Sequence, residues 1–204
     1  MMGLILKDIY TLKKQWKVML VIFAFYFFIS IMGQDAGYFS IMTVIYSFLL
    51  PITALAFDEQ SHWDKYALAL PLSRTAIVLS KYVLAIGINL VMTAITLIVN
   101  LAFIYYYDLE IIPIELLALT LGACTVGIII LAVMMPLFFK FGVEKARMVM
   151  IVVVLLPTVL IMLFPEFFAS VPIAKIIPII PLAVVALLCV SCFLSIKIYQ
   201  HKEF

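Results

Sequence analysis

Charge is scarce in this chain: Asp, Glu, Lys and Arg make up 12% of its 204 residues. Soluble domains carry about 25%. Every hydrophilic stretch is too short to bury a core of its own, which excludes a soluble domain. Histidine is limited to His62 and His201, and no His-Glu-x-x-His run occurs. Glycine numbers only 7, and none of it forms a phosphate loop, so ATP cannot be held by that device. The three cysteines, Cys124, Cys189 and Cys192, lie inside apolar runs. They read as small packing residues, since no metal-ligand spacing relates them. No Ser, His and acid set shares a location, so an intramembrane enzyme finds no support. No charged residue falls deep within an apolar run, which argues against a pump relying on buried charge and against a voltage sensor. No small-residue cleavage site follows the charged start, so no cleavable signal peptide is expected. No catalytic residue, metal, resident cofactor or nucleic-acid partner is expected.

What the chain has in plenty is apolar sequence, at 68%. A span needs about 20 such residues to cross a core of about 30 Å. Six segments qualify, near 18–33, 37–57, 82–106, 115–139, 148–164 and 179–196. The fold class is therefore an all-α integral membrane protein, a single transmembrane domain over residues 1–204. Lys7, Lys13, Lys14 and Lys17 precede the first span. Lys65, Arg74 and Lys81 lie between the second and third. Lys140, Lys145 and Arg147 lie between the fourth and fifth, and Lys197 and Lys202 follow the sixth. Only Lys175 falls on the other side. The basic face is cytoplasmic, and both termini lie inside, as six spans require.

Residues 1–17 read as an interfacial helix. Ile5, Ile9, Leu12 and Trp16 share one face, and Lys7, Lys14 and Lys17 another, so the helix lies in the headgroup plane of the lipid. The loop 165–178 is too apolar for an ordinary solvated loop and too rich in proline for a span. Short helical turns in the outer leaflet are expected there.

The third span carries Asn89, Thr93, Thr96 and Asn100 at four, three, four spacing, which stacks them on one face. Amides facing lipid cost free energy, so this face points into protein or a cavity. A translocation path and hydrogen bonding between helices both satisfy that need. In the fourth span Ala118 and Gly122, then Ala123 and Gly127, are four apart, which permits close helix approach. Ser191 and Ser195 in the sixth span are also four apart and carry no assignment.

Between the second and third spans stands a polar island, Asp58-Glu59-Gln60-Ser61-His62-Trp63-Asp64-Lys65-Tyr66. The acids at its start suit a helix N-terminus. Trp63, Tyr66, Ala67 and Leu70 recur at helical spacing, giving an amphipathic helix. Pro71 ends it, and Ser73 is the N-cap of a new helix from Arg74. Such a segment, spanning 58–81 with its flanks, is where a partner would dock.

Gly3-Leu4-Ile5-Leu6-Lys7-Asp8-Ile9-Tyr10 resembles the start of small bacterial permeases of the type-2 ABC exporter class. Phe57-Asp58-Glu59-Gln60-Ser61-His62-Trp63-Asp64-Lys65-Tyr66, Leu70-Pro71-Leu72-Ser73-Arg74 and Ser80-Lys81-Tyr82 carry the same resemblance. It covers residues 1–82; beyond them only the six-span layout and the apolar last outer loop are similar. The resemblance implies a permease paired into a dimer, with two copies of a separate ATPase that binds ATP and Mg. It implies that 59–70 is the coupling helix, with Glu59, Trp63, Asp64, Tyr66, Leu70 and Arg74 as ATPase contacts. The loop 140–147 would be a second contact. Similar Gram-positive systems export phenol-soluble modulins, lantibiotics and bacitracin, so an amphipathic or antimicrobial peptide is the implied substrate. The setting it implies is the bacterial plasma membrane. The alternative is a passive substrate-binding subunit of an uptake system, which would need an outward small-ligand pocket; the outer loops offer few polar groups for one.

Overall fold

The computed structural model describes residues 2–33, 37–63, 66–67, 73–107, 113–164 and 179–202. Among these there are seven long helices and no strand: α1 (Met2–Lys13), α2 (Trp16–Gly33), α3 (Gly37–Gln60), α4 (Arg74–Tyr107), α5 (Pro113–Phe141), α6 (Val143–Leu163) and α7 (Ile180–Gln200). Five of them, α2, α3, α4, α5 and α7, are long and apolar enough to cross a membrane. α6 is a further helix of 21 residues. The loop 165–178 lies outside the described residues.

Helical hydrogen bonding outruns the apolar windows. The clearest case is α4, whose 34 residues make a rod of about 51 Å, against a hydrocarbon core of about 30 Å. Its first two turns therefore stand clear of the apolar window that begins at Tyr82. The expected cap is present: the Ala76 amide donates to Ser73 Oγ at 3.2 Å, which satisfies one of the orphan donors of the first turn.

α3 is the central helix and the most buried of the five, and α2 the least. α3 packs most closely on α4 and α5, and α5 packs closely on α7. Phe23 of α2 meets Phe39 of α3 edge to face at 5.2 Å, and Phe27 meets Phe103 of α4 at 5.8 Å, a geometry that aromatic quadrupoles favour. One apolar cluster gathers Leu55, Ile77, Val78, Phe138, Phe139, Val143 and Tyr199. A second gathers Leu12, Phe39, Met42, Tyr46, Leu84 and Met92. Ser191 and Ser195, unassigned from sequence, both hydrogen-bond the Tyr82 hydroxyl, at 2.6 and 2.8 Å. Ser191 also donates to the Ala132 carbonyl at 2.5 Å, so one serine joins α4, α5 and α7.

α1 differs from its expected form. The chain turns at Lys14 and Gln15, so Trp16 opens α2 instead of closing α1. The buried face is Leu4, Asp8 and Leu12, while Ile9 is half exposed. An acid displaces an isoleucine from the inner face because its charge is met there by lysines.

Candidate functional site at the helix junction

The island is built differently from a helix that starts at Asp58. α3 runs on through Gln60, so Asp58 and Glu59 occupy its last turn. Ser61 and His62 then turn the chain, the His62 amide donating to the Glu59 carbonyl at 3.2 Å. His62 has φ 51°, in the left-handed region where helices commonly end. Acids at a helix C-terminus oppose its dipole, so both carboxylates need partners, and both have them.

Asp58 enters a cluster of four charges from three helices. Lys81 Nζ of α4 lies 2.8 Å from each oxygen of Asp8 in α1 and 2.5 Å from Asp58 Oδ2. These three acceptors match the three N–H donors of an ammonium. Lys7 Nζ lies 2.5 Å from Asp58 Oδ1 and 3.1 Å from Asp8. Two cations and two anions cancel. The Lys81 and Asp8 side chains are only 5% and 1% exposed, so removal of one partner strands a charge in a dry site. Lys7 reaches further, with its ammonium 4.3 Å above the centre of the Trp63 ring, which adds a cation–π contact.

Glu59 turns the other way. Its Oε2 accepts the Val143 amide at 2.6 Å, which caps the N-terminus of α6. Gly142 supplies no side-chain cap and has φ 78° and ψ 170°, a region that only glycine adopts readily. A Cβ there would also stand 2.6 Å from Glu59 Oε1. Arg74 holds a third junction: its guanidinium donates to the Gln200 carbonyl at 2.5 Å and to Tyr199 and Lys202 carbonyls at 3.4 Å. A cation thus closes the C-terminus of α7, where the dipole favours it.

Of the proposed contact residues, Trp63 is half-buried against the junction and Tyr66 is 68% exposed. Ala67 is fully buried, so Tyr66 does not share its face. Asp64 and Leu70 lie outside the described residues. A cleft of about 370 Å³ opens between the island and the start of α6, lined by Glu59, Gln60, His62, Glu144 and Arg147. The two expected contact segments therefore border one cleft.

The polar stripe of α4 lies in a closed seam. Asn89 donates to Ser47 Oγ of α3 at 2.5 Å and to the Cys124 carbonyl of α5 at 3.4 Å, and Cys124 Sγ donates back to its Oδ1 at 2.9 Å. Thr96 and Thr43 hydroxyls meet at 2.5 Å. Asn100 Nδ2 reaches Ser40 at 3.2 Å and Thr120 at 3.5 Å. Thr93, half-buried, donates to the Asn89 carbonyl on its own helix at 2.8 Å. Gly127 makes the approach possible, because a Cβ there would fall 2.7 Å from both Asn89 Nδ2 and Ser47 Oγ. Gly122, its companion in the small-residue pattern, has open space beside it.

Sequence reasoning missed the four-charge cluster, reading its lysines as flanks set by orientation. The available signal was Asp8 at i+4 between Leu4 and Leu12, an acid on an apolar stripe. For the tie between Glu59 and α6 the signal was Gly142, a lone glycine in Lys140-Phe141-Gly142-Val143-Glu144 between two apolar helices.

Among the described residues the chain is helical, with several long apolar helices joined by charges at one end of the bundle, the make-up of a multi-pass membrane protein. A family model described as ABC-2 family transporter protein matches residues 3–200, and the chain belongs to that family of transporter permeases. Membership implies, in general, an ABC ATPase as partner. No curated protein and no solved structure matches this chain.

Proposed function

We propose that this permease is the membrane subunit of an ATP-driven exporter of amphipathic or antimicrobial peptides. It has six spans, α2 to α7, with both termini on the cytoplasmic side of a bacterial plasma membrane. Two copies pair and work with two ATPase subunits, which hold the ATP and Mg. The island 59–70 is the coupling segment and 140–147 the second contact.

The observation that supports this reading most is the shared cleft. Residues 84 positions apart, Glu59 and Val143, are hydrogen-bonded, so the two contact segments form one surface. That surface is connected inward through Lys7, Asp58 and Lys81 to three helices. A partner pressing on Trp63 and the cleft would move α1, α3, α4 and α6 together.

The test is co-purification with a candidate ABC ATPase and its ATP hydrolysis in the presence of amphipathic peptides. Trp63→Ala is expected to weaken ATPase binding or peptide-stimulated hydrolysis by tenfold or more. Wild-type binding and stimulation in that variant would remove the coupling role of the island. For the stripe, we propose that Asn89, Thr93, Thr96 and Asn100 line the path when α3 and α5 part from α4 during transport.

A further inference from the structure

We propose that Glu59 is a positioning residue: it ties the start of α6 to the end of α3, so that movement of the island is delivered to α6 about a joint at Gly142. This rests on the reading of the island as the coupling segment, and it gives Glu59 an internal role in place of a direct ATPase contact.

Three observations carry it. First, α6 has no cap of its own. Gly142 stands at its N-cap position without a side chain, and the carboxylate that accepts the Val143 amide comes from another helix. An anion there is favoured by the dipole as well as by the hydrogen bond. Second, the joint is built for glycine twice over, by its φ of 78° and by the 2.6 Å approach of Glu59 to an added Cβ. Third, α6 is anchored at one end. Val143 and Ala146 are 5% and 0% exposed, whereas Met148, Val152, Leu155, Met162 and Leu163 are all more than half exposed. It packs chiefly on α5 and α3.

A helix held at its first turn and lightly held beyond follows its anchor. The 21 residues of α6 span about 31 Å, so a tilt of about 10° at Gly142 carries the far end by about 5 Å. The tie transmits that tilt because its two ends belong to different helices and meet at hydrogen-bond distance. Loss of the carboxylate leaves α6 in place but no longer obliged to follow α3.

The experiment has two readings. In the purified permease alone, amide hydrogen exchange is measured in the peptide covering 142–147. Glu59→Ala is expected to speed it at least tenfold, while exchange at the end of α7 stays unchanged. Glu59→Asp, which withdraws the charge by one methylene, is expected to do the same, and Glu59→Gln, which keeps an acceptor at full length, to restore most of the protection. Unchanged exchange in Glu59→Ala and Glu59→Asp overturns the tie. In the complex with its ATPase, transport is read per bound ATPase: Glu59→Ala is expected to lower it tenfold or more, and Glu59→Gln to restore most of it. Loss of binding with normal transport per bound ATPase would make Glu59 a partner contact and overturn the positioning role. Normal transport with raised exchange would overturn it as well. Failure of the wild-type permease to bind any ABC ATPase would remove the coupling reading, and with it the delivery role, while exchange would still report whether the tie exists.

Discussion

The ammonium of Lys81 in α4 sits 2.8 Å from both carboxylate oxygens of Asp8 in α1. The pair is separated by 73 residues and almost sealed from solvent. It converts α1 from a helix resting on the membrane into a part of the bundle. Asp58 adds α3 to the same ammonium at 2.5 Å, and Lys7 adds Trp63. The N-terminal helix, the end of α3, Trp63 and the start of α4 are therefore held together at one point.

Asp8→Leu strands Lys81 with Asp58 as its remaining carboxylate, which Lys7 shares. A loss of about 3–5 kcal/mol is expected, as for other broken buried pairs. Asp8→Leu with Lys81→Met removes both charges and is expected to recover more than half of that loss. The double-mutant cycle is read from thermal unfolding of the detergent-solubilised permease. Additive losses would show that the two side chains do not interact.

Gly127→Ala puts a methyl within 3 Å of Asn89 Nδ2, Ser47 Oγ and Ser47 Cβ. Overpacking of this kind costs about 1–3 kcal/mol. Gly122→Ala, with open space beside it, is expected to be neutral or mildly stabilising. Equal melting temperatures for the two variants would contradict the seam.

Asn89 has three hydrogen bonds across the seam, whereas Asn100 Oδ1 is buried without a partner among the described residues. Asn89→Leu is therefore expected to destabilise by about 2 kcal/mol, at about 0.6 kcal/mol per contact. Asn100→Leu is expected to cost less, since it also removes an unsatisfied carbonyl. Transport by the double variant tests the path: wild-type transport by a stably folded Asn89→Leu/Asn100→Leu protein would leave the stripe with packing alone.

Arg74→Ala removes the donors that close α7 at the Tyr199, Gln200 and Lys202 carbonyls. A loss of about 1–2 kcal/mol is expected from the charged hydrogen bonds and the dipole. Limited proteolysis after Tyr199 should accelerate, and Arg74→Lys should restore protection only in part, because an ammonium lacks the planar fork. Unaltered cleavage in Arg74→Ala would exclude the cap.

The membrane class, most helix positions, the Ser73 cap and the existence of a polar island followed from the sequence alone. These depend on composition and on periodicity within one helix, and both are local. The tertiary structure decided which helix face is inside. Ile9 fits an apolar stripe better than Asp8, yet Asp8 is buried, because two lysines 1 and 73 residues away complete its charge. The end of α3 was hidden for a related reason. Asp58 and Glu59 read as the start of a helix because an N-terminus favours acids, but lysines and the Val143 amide make a C-terminus equally acceptable. Charge compensation across distant segments leaves no periodic trace along the chain, so only the packed helices reveal it.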